Sequence, residues 1–226
     1  MKLSVIVPCF NEADHITKVL DAVREVDIPK EIIVVDDGST DDTPEVLEEY
    51  SRRYPIVVHS CAQNAGKGAA IRIGLGYVTG DIVIIQDADM EYDPRQYPEI
   101  IAPILAGEAD VVYGSRFRGK IEGMRLQNRI ANYLLTWTAN ILYRARITDE
   151  ATCYKAFKSE VLKSLNLKCT RFEFCPEVTA KIRKRGISIK EVPITYAGRN
   201  TAQGKKIKWT DACLAMWTLL KHRFVD

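Results

Sequence analysis

Histidine is scarce in this chain, three in 226 residues, and none of its six cysteines stands in a C-x-x-C pair. Without Cys/His ligand spacing, the sequence offers no structural zinc site. A chain this long buries roughly 70% of its unfolded surface, so it needs no disulfide or metal staple. Cys9, Cys61, Cys153, Cys169, Cys175 and Cys213 therefore read as buried free thiols of a reducing compartment. A secretory signal is missing too, because MKLSVIVPCF holds too short an apolar run and no small-residue cleavage site. No window reaches the roughly 18 apolar residues of a spanning helix. The nearest, 130–143, is broken by Asn132, Thr136, Thr138 and Asn140. The expected location is the cytoplasm. No glycine lies between 39 and 65, which rules out a Walker A loop at Lys67, and Gly38 comes too late for a Gly-rich loop after the first strand. No Ser/His/Asp set is recognisable, and His15 and His222 are expected to face solvent. Repeats and low-complexity linkers are absent, so a single domain over 1–226 is expected.

What the chain does have is charge sorted by position. Residues 116–146 hold Arg116, Arg118, Lys120, Arg125, Arg129, Arg144 and Arg146 against Glu122 alone. Residues 199–223 hold six basic side chains against Asp211. A second half so biased suits an anionic partner, either phosphates or a membrane surface, unless these are simply solvated helix faces. Interleaved aromatics of the stacking kind are not evident, which argues against nucleic acid.

Short apolar runs at 3–8, 31–36, 55–60, 81–86 and 110–115 alternate with helix-like windows at about 13–25, 42–54, 66–77 and 96–107. Continuous hydrophobicity in the runs means that both sheet faces are covered, the pattern of βαβ units in a mostly parallel sheet. The second half predicts a long helix at about 125–143, with Leu126, Ile130, Leu134, Trp137 and Ile141 at helical spacing. A short strand near 153–158, a helix at 175–185, a strand at 187–195 and a last helix at 207–224 follow. On that last helix Cys213, Met216, Trp217, Leu220 and Phe224 form one face, suited either to the protein's own core or to a lipid headgroup layer.

Ligands of such sheets sit outside the carboxyl ends of the strands. The residues there are Phe10, Asn11 and Glu12; Asp36, Asp37 and Gly38; Asn64 to Gly68; Asp87, Ala88 and Asp89; and Gly114 to Arg116. Asp87 and Asp89 place two carboxylates at a strand end, and Glu91 adds a third oxygen donor. Such a cluster suits Mg²⁺ or Mn²⁺ bridging to substrate phosphates. A solvated Asp-rich turn is the plainer alternative. Asp37 suits a ribose or base, with Gly38 allowing close approach, although Ser39, Thr40 and Asp41 also make good helix caps. NAGKG at 64–68 has the look of an anion loop opening a helix, with free N–H groups and Lys67 facing a phosphate or ribose.

Taken together, VPCFNEAD (7–14), IIVVDDGSTDDT (32–43), NAGKGAA (64–70), DADMEYDP (87–94), VVYGSRF (111–117), TDEATCYKAF (148–157) and GKKIKW (204–209) resemble family 2 glycosyltransferases of the GT-A fold. Within that family the resemblance is closest to the polyprenyl-phosphate sugar synthases, and it runs nearly end to end. It implies a nucleotide-sugar-binding half at 1–115 and an acceptor half at 116–226 that ends in an amphipathic helix. Pro8, Phe10, Asn11, Glu12, Asp36, Asp37 and Lys67 would hold base and ribose, with Asp87 and Ala88 beside them. Asp87 and Asp89, with Glu91, would bind the metal. Arg116 and Arg129 would receive the acceptor phosphate, Asp149 would stand where inverting members carry a base, and Arg199, Lys205 and Lys206 would close over phosphates. Catalysis would rest on Asp149, Asp89 and Arg116. The implied partners are a nucleotide sugar, a polyprenyl phosphate, a membrane surface at its cytosolic side, and a membrane-anchoring subunit or a second copy. Glu91 stands where the dolichol-phosphate mannosyltransferases usually carry Gln, which favours glucose or an N-acetylhexosamine from UDP over mannose from GDP. A saccharide or protein hydroxyl acceptor, or a catalytically silent scaffold, are the competing readings.

Overall fold

A computed structural model describes residues 1–198 and 209–225. Seven strands, β1 (Leu3–Cys9), β2 (Lys30–Asp36), β3 (Val57–Ser60), β4 (Ile82–Ile85), β5 (Val111–Glu122), β6 (Lys155–Lys158) and β7 (Lys190–Ala197), form one sheet in the order β3-β2-β1-β4-β6-β5-β7. All neighbours are parallel except that β6 runs antiparallel to both β4 and β5. The described helices are α1 (Ile16–Glu25), α2 (Thr43–Arg53), α3 (Lys67–Leu75), α4 (Tyr97–Leu105), α5 (Leu126–Tyr143), α6 (Ser159–Ser164), α7 (Phe174–Lys184) and α8 (Trp209–Phe224). This is the expected α/β architecture, a mostly parallel sheet flanked by helices. The five early strands fall where the apolar runs place them. The reversal of β6, the continuation of β5 to Glu122 and the short α6 lie beyond what the runs foretell.

Alternating side chains of the central strands feed two cores. Val5, Val7, Val34 and Ile84 point to the layer that contains α1, α2 and α4, whereas Ile6, Ile33, Val35, Val83 and Ile85 point to the one that contains α3 and α5 to α8. Both faces are thus dry, which explains the unbroken hydrophobicity of these strands.

Two helices of the second layer are apolar on both sides. On α5, Leu135, Ala139 and Tyr143 are buried, while Leu126, Ile130, Leu134, Trp137 and Ile141 are 52–71% exposed. Their four-four-three-four spacing puts the second stripe opposite the buried one. On α8, Ala215, Thr218, Leu219 and His222 face inward, and Trp217 and Phe224 are 61% and 85% exposed. The expected apolar face is thus split: Met216 packs against the second core, whereas Cys213, Trp217, Leu220 and Phe224 are exposed. His222, expected in solvent, belongs to the buried stripe, and its Nδ1 has no hydrogen-bond partner among the described residues. The six cysteines are free, but only Cys9 and Cys169 are fully buried and Cys213 is exposed.

Candidate active site

The strands part where β1 changes partners. Gln86 N–H donates to the Ile6 carbonyl at 2.9 Å, and the next donor that β1 would offer to β4 belongs to Pro8, which has none. The β1–β2 ladder continues to Cys9 and Asp36, whereas the β1–β4 ladder stops at Ile6 and Ile85. A crevice opens at this switch point, the place where such sheets take ligands.

Its first wall is laced by side chains. Asn11, in the left-handed region (φ 51°), donates its N–H to Ser39 Oγ at 2.9 Å and accepts from Thr40 N–H at 2.8 Å. Glu12 N–H donates to Thr43 Oγ1 at 3.0 Å. Asp36 accepts from the Ser39 N–H and hydroxyl, and Asp37 from Ala65 N–H (2.9 Å) and Gly66 N–H (2.7 Å). These acids set the shape of two loops. Gly38 (φ 69°) serves them as well, because a Cβ there would come 2.6 Å from the Gln63 carbonyl carbon. Its close approach is to the chain itself. The anion-loop expectation for 64–68 is corrected: Gly68 and Ala69 N–H donate to the Arg171 and Thr170 carbonyls, both at 2.9 Å, so α3 does not open with free donors.

Lys67 does face the crevice. Its ammonium is paired with Asp87 and donates to Cys153 Sγ at 3.0 Å. Burial opposes its charge, yet Asp87 and the thiol outweigh that and hold it well above the ordinary lysine value. Burial, then Asp87, pushes the Cys153 thiol upward, so it stays protonated. The Ala88 side chain is buried in the first core cluster. The chain turns at Met90 (φ 58°), Glu91 N–H donates to Asp89 Oδ1 at 3.1 Å, and the Glu91 carboxylate accepts from Tyr196 OH at 2.7 Å. This turn undoes the three-carboxylate set. Among the described residues no three His, Cys, Asp or Glu side chains stand close enough to hold a metal ion. Two strand-end carboxylates, Asp87 and Asp89, remain suited to a hard cation that completes its shell with waters and substrate phosphate oxygens.

Opposite stands Arg116. The β5–β7 register shifts between Ser115 and Lys120, and this irregularity re-aims Arg116. Its Nε and NH2 donate to the two oxygens of Asp149, both at 2.7 Å, and its backbone N–H adds a bond at 2.9 Å. Asp149 is fully buried and Arg116 is 5% exposed. Burial disfavours the guanidinium charge, but Tyr92 and Asp149 outweigh it and keep its pKa above the usual range. With both oxygens taken, Asp149 is placed to orient an arginine. Arg129 is not brought to this pair: it is exposed on α5, 5.9 Å above the Tyr133 ring. Arg199, Lys205 and Lys206 lie outside the described residues.

Sequence reasoning missed Cys153, Tyr196 and Gln86. Gln86 Oε1 accepts from Tyr97 and Tyr154, both at 2.7 Å, while its amide donates to the Asp87 and Tyr92 carbonyls at 3.0 and 3.3 Å. It thereby shapes the acidic turn from below. A polar residue ending an otherwise apolar strand was the available signal.

A family profile described as glycosyl transferase family 2 matches residues 4–165. The chain is 30% identical over 225 residues to a UDP-N-acetylglucosamine–dolichyl-phosphate N-acetylglucosaminyltransferase of Methanococcus voltae, covering 90% of this chain and 89% of that protein. It is 31% identical over 204 residues to the low-salt glycan biosynthesis hexosyltransferase Agl6 of Haloferax volcanii, covering 87% of this chain and 48% of that protein, about half its length. In fold it is similar to a glucosyl-3-phosphoglycerate synthase from Mycobacterium tuberculosis in complex with Mn²⁺, UDP and glucosyl-3-phosphoglycerate, with a TM-score of 0.76, 24% identity, and 100% of this chain and 81% of that one covered.

Proposed function

The chain belongs to glycosyl transferase family 2, and on that premise we propose that it moves a hexose, with inversion, from a nucleotide diphosphate sugar to a polyprenyl phosphate at a membrane surface. The observation that carries the lipid acceptor is the path from β5 to α5. Buried Arg116 is followed within ten residues by exposed Arg118 and Arg125 and then by a helix whose outer stripe, Leu126 to Ile141, is left uncovered by the described residues. Cations beside an apolar, Trp- and Tyr-bearing helix face suit the boundary of headgroups and acyl chains. The name of the Methanococcus relative, with its UDP-sugar donor and dolichyl-phosphate acceptor, supports the same reading. No described helix is long and apolar enough to cross a membrane.

Asp87 and Asp89 would hold Mg²⁺ or Mn²⁺, which would supply charge neutralisation to the diphosphate leaving group. This chain's own residues do the rest. Asp36 and Asp37 hold the two loops that receive base and ribose, and Lys67 sits where it can exchange Asp87 for a phosphate oxygen. Asp149 locks Arg116 in one orientation, presenting it to the acceptor phosphate. That phosphate is already largely ionised at neutral pH, its second pKa being about 6, so it needs a cationic cradle more than a base. A sugar hydroxyl acceptor would demand a free carboxylate, and Asp149 is engaged. Arg129 and the basic residues at 199, 205 and 206 would add to the field that draws the lipid phosphate in.

The test is transfer of radiolabelled sugar from a panel of UDP- and GDP-sugars to a short-chain polyprenyl phosphate, with Mg²⁺ or Mn²⁺, followed by organic extraction. Label entering the organic phase from one donor is the expected result, and a UDP-N-acetylhexosamine or UDP-glucose is the expected donor. Label that stays aqueous with every donor would overturn the lipid acceptor.

A further inference from the structure

A second basic site lies away from the crevice, where α5 ends. A cleft of about 340 Å³ is lined by Arg144, Ala145, Arg146, Arg183, Ser188 and Ile189, with no carboxylate among them. Its backbone is unusual. Arg144 (φ 49°) and Arg146 (φ 55°) both occupy the left-handed region, which glycine or asparagine ordinarily fills after a helix. Between and after them Ala145 and Ile147 are each 3% exposed, so the alternation drives the small and apolar side chains inward and both arginines out.

Arg183 of α7 fixes this conformation. Its guanidinium donates to the carbonyls of Tyr143 (3.4 Å), Arg144 (3.1 Å) and Ile187 (2.7 Å), closing the helix end. All of its nitrogens are thereby used in holding the frame, yet its charge remains at the cleft. Neither Arg144 nor Arg146 has a side-chain ion pair or hydrogen bond among the described residues. Two guanidinium forks held in a strained backbone, with a third cation behind them and the Ser188 hydroxyl on the rim, form a receptor for a phosphate oxygen pair. Position supplies the source. Arg144 follows Trp137 by seven residues and Ile141 by three, so it continues the outward apolar stripe of α5 at its end.

We infer that this cleft binds the phosphate of an anionic phospholipid headgroup, anchoring the α5 face at a point separate from the acceptor site. The inference rests on the membrane reading above for the source of the phosphate. It is tested by flotation of the purified chain with vesicles of phosphatidylglycerol and phosphatidylcholine, and with phosphatidylcholine alone. Arg144→Gln with Arg146→Gln is expected to lower partition onto the anionic vesicles by about tenfold or more. Arg52→Gln with Arg53→Gln removes the same charge from exposed positions on α2, in the opposite layer, and is expected to stay within about twofold of wild type. Equal losses in the two pairs, or no loss in the first, would overturn the cleft. Millimolar inorganic phosphate is expected to leave flotation unchanged. If it displaces the protein, and binds wild type but not the Arg144/Arg146 variant without vesicles, the free anion is the ligand and the lipid source is overturned. Trp137→Ser with Ile141→Ser separates the two claims. Unchanged flotation of that pair beside a loss in the arginine pair fails the apolar face and keeps the cleft, and the reverse pattern keeps the face and overturns the cleft.

Discussion

Two glutamates at opposite ends of the sheet, Glu31 half-buried and Glu150 buried, have opposite fates. Glu31, at the start of β2, accepts from Lys2 Nζ, the Ser4 hydroxyl, the N–H and hydroxyl of Thr79, and Gly80 N–H. Burial pushes its carboxyl up, but these donors win and pull it down to about 2. Glu150, beside the candidate site, is 1% exposed. Among the described residues its carboxylate accepts only from Thr179, at 2.7 Å, and its Oε1 has no partner. Its nearest cation, Lys155, spends its ammonium on the Glu150 and Thr152 carbonyls and over the Tyr113 ring. Burial therefore prevails and raises Glu150 to about 7, with Lys155 and Thr179 only partly offsetting it. The amino-terminal edge spends a carboxylate on stability. The carboxyl-terminal edge, where such sheets take ligands, keeps one at a cost.

Asp149 tests whether donor-rich acids are structural at both ends. Asp149→Ala leaves Arg116 buried without its partner and is expected to cost about 3–5 kcal/mol, read as a fall in denaturation midpoint, with transfer lost alongside. Asp89→Asn should do the reverse. Transfer is expected to drop by about a hundredfold to a thousandfold while the melting temperature barely moves, which a parallel activity and calorimetry series would show.

The glutamates themselves give a pair of opposite pH signatures. Glu31, with its pKa lowered from 4.5, contributes stability in full above about pH 4.5 and loses it as pH falls toward 2. Glu31→Gln is expected to cost roughly 2–3 kcal/mol at pH 7 and to flatten that acid limb in urea titrations. Glu150, with its pKa raised from 4.5 to about 7, imposes no cost below pH 4.5, a growing one between 4.5 and 7, and the full cost above. Glu150→Gln is expected to gain roughly 1–2 kcal/mol at pH 8 and nothing at pH 4. Smallest of all, Leu134→Ser with Trp137→Ser should shift folding stability by no more than about 0.5 kcal/mol, since that stripe covers no core.

The strands were legible because burial on both faces writes itself into consecutive residues, as in VIV of β1 and IVII of β4. Direction was not. KAFK of β6 reads the same whether the strand runs up or down, and only its antiparallel pairing with Ile82–Ile84 and Val111–Tyr113 reveals the reversal. Helical periodicity likewise gave the α5 stripe but not the side on which it lies, because the inward stripe of Leu135, Ala139 and Tyr143 is just as apolar. Strand-end acids were found by position. Their partners were not, since Lys67 and Asp87 are 20 residues apart and Arg116 and Asp149 are 33 apart. The partner of Glu91 was hidden for the same reason, Tyr196 being 105 residues away.

The reversed β6 also dictates an order of events during synthesis. Strands β3, β2, β1 and β4 can pair as soon as residue 85 is made, but β4 then ends in an open edge of unpaired peptide groups. Strand β5 cannot cap it, because its sheet neighbours are β6 and β7. A nascent chain must carry that sticky edge through some seventy further residues until 155–158 emerge and slot between the two. Because the crevice straddles that seam, with Asp87 on one side and Arg116 on the other, the last strand to bridge the sheet is also the one that brings the site into being.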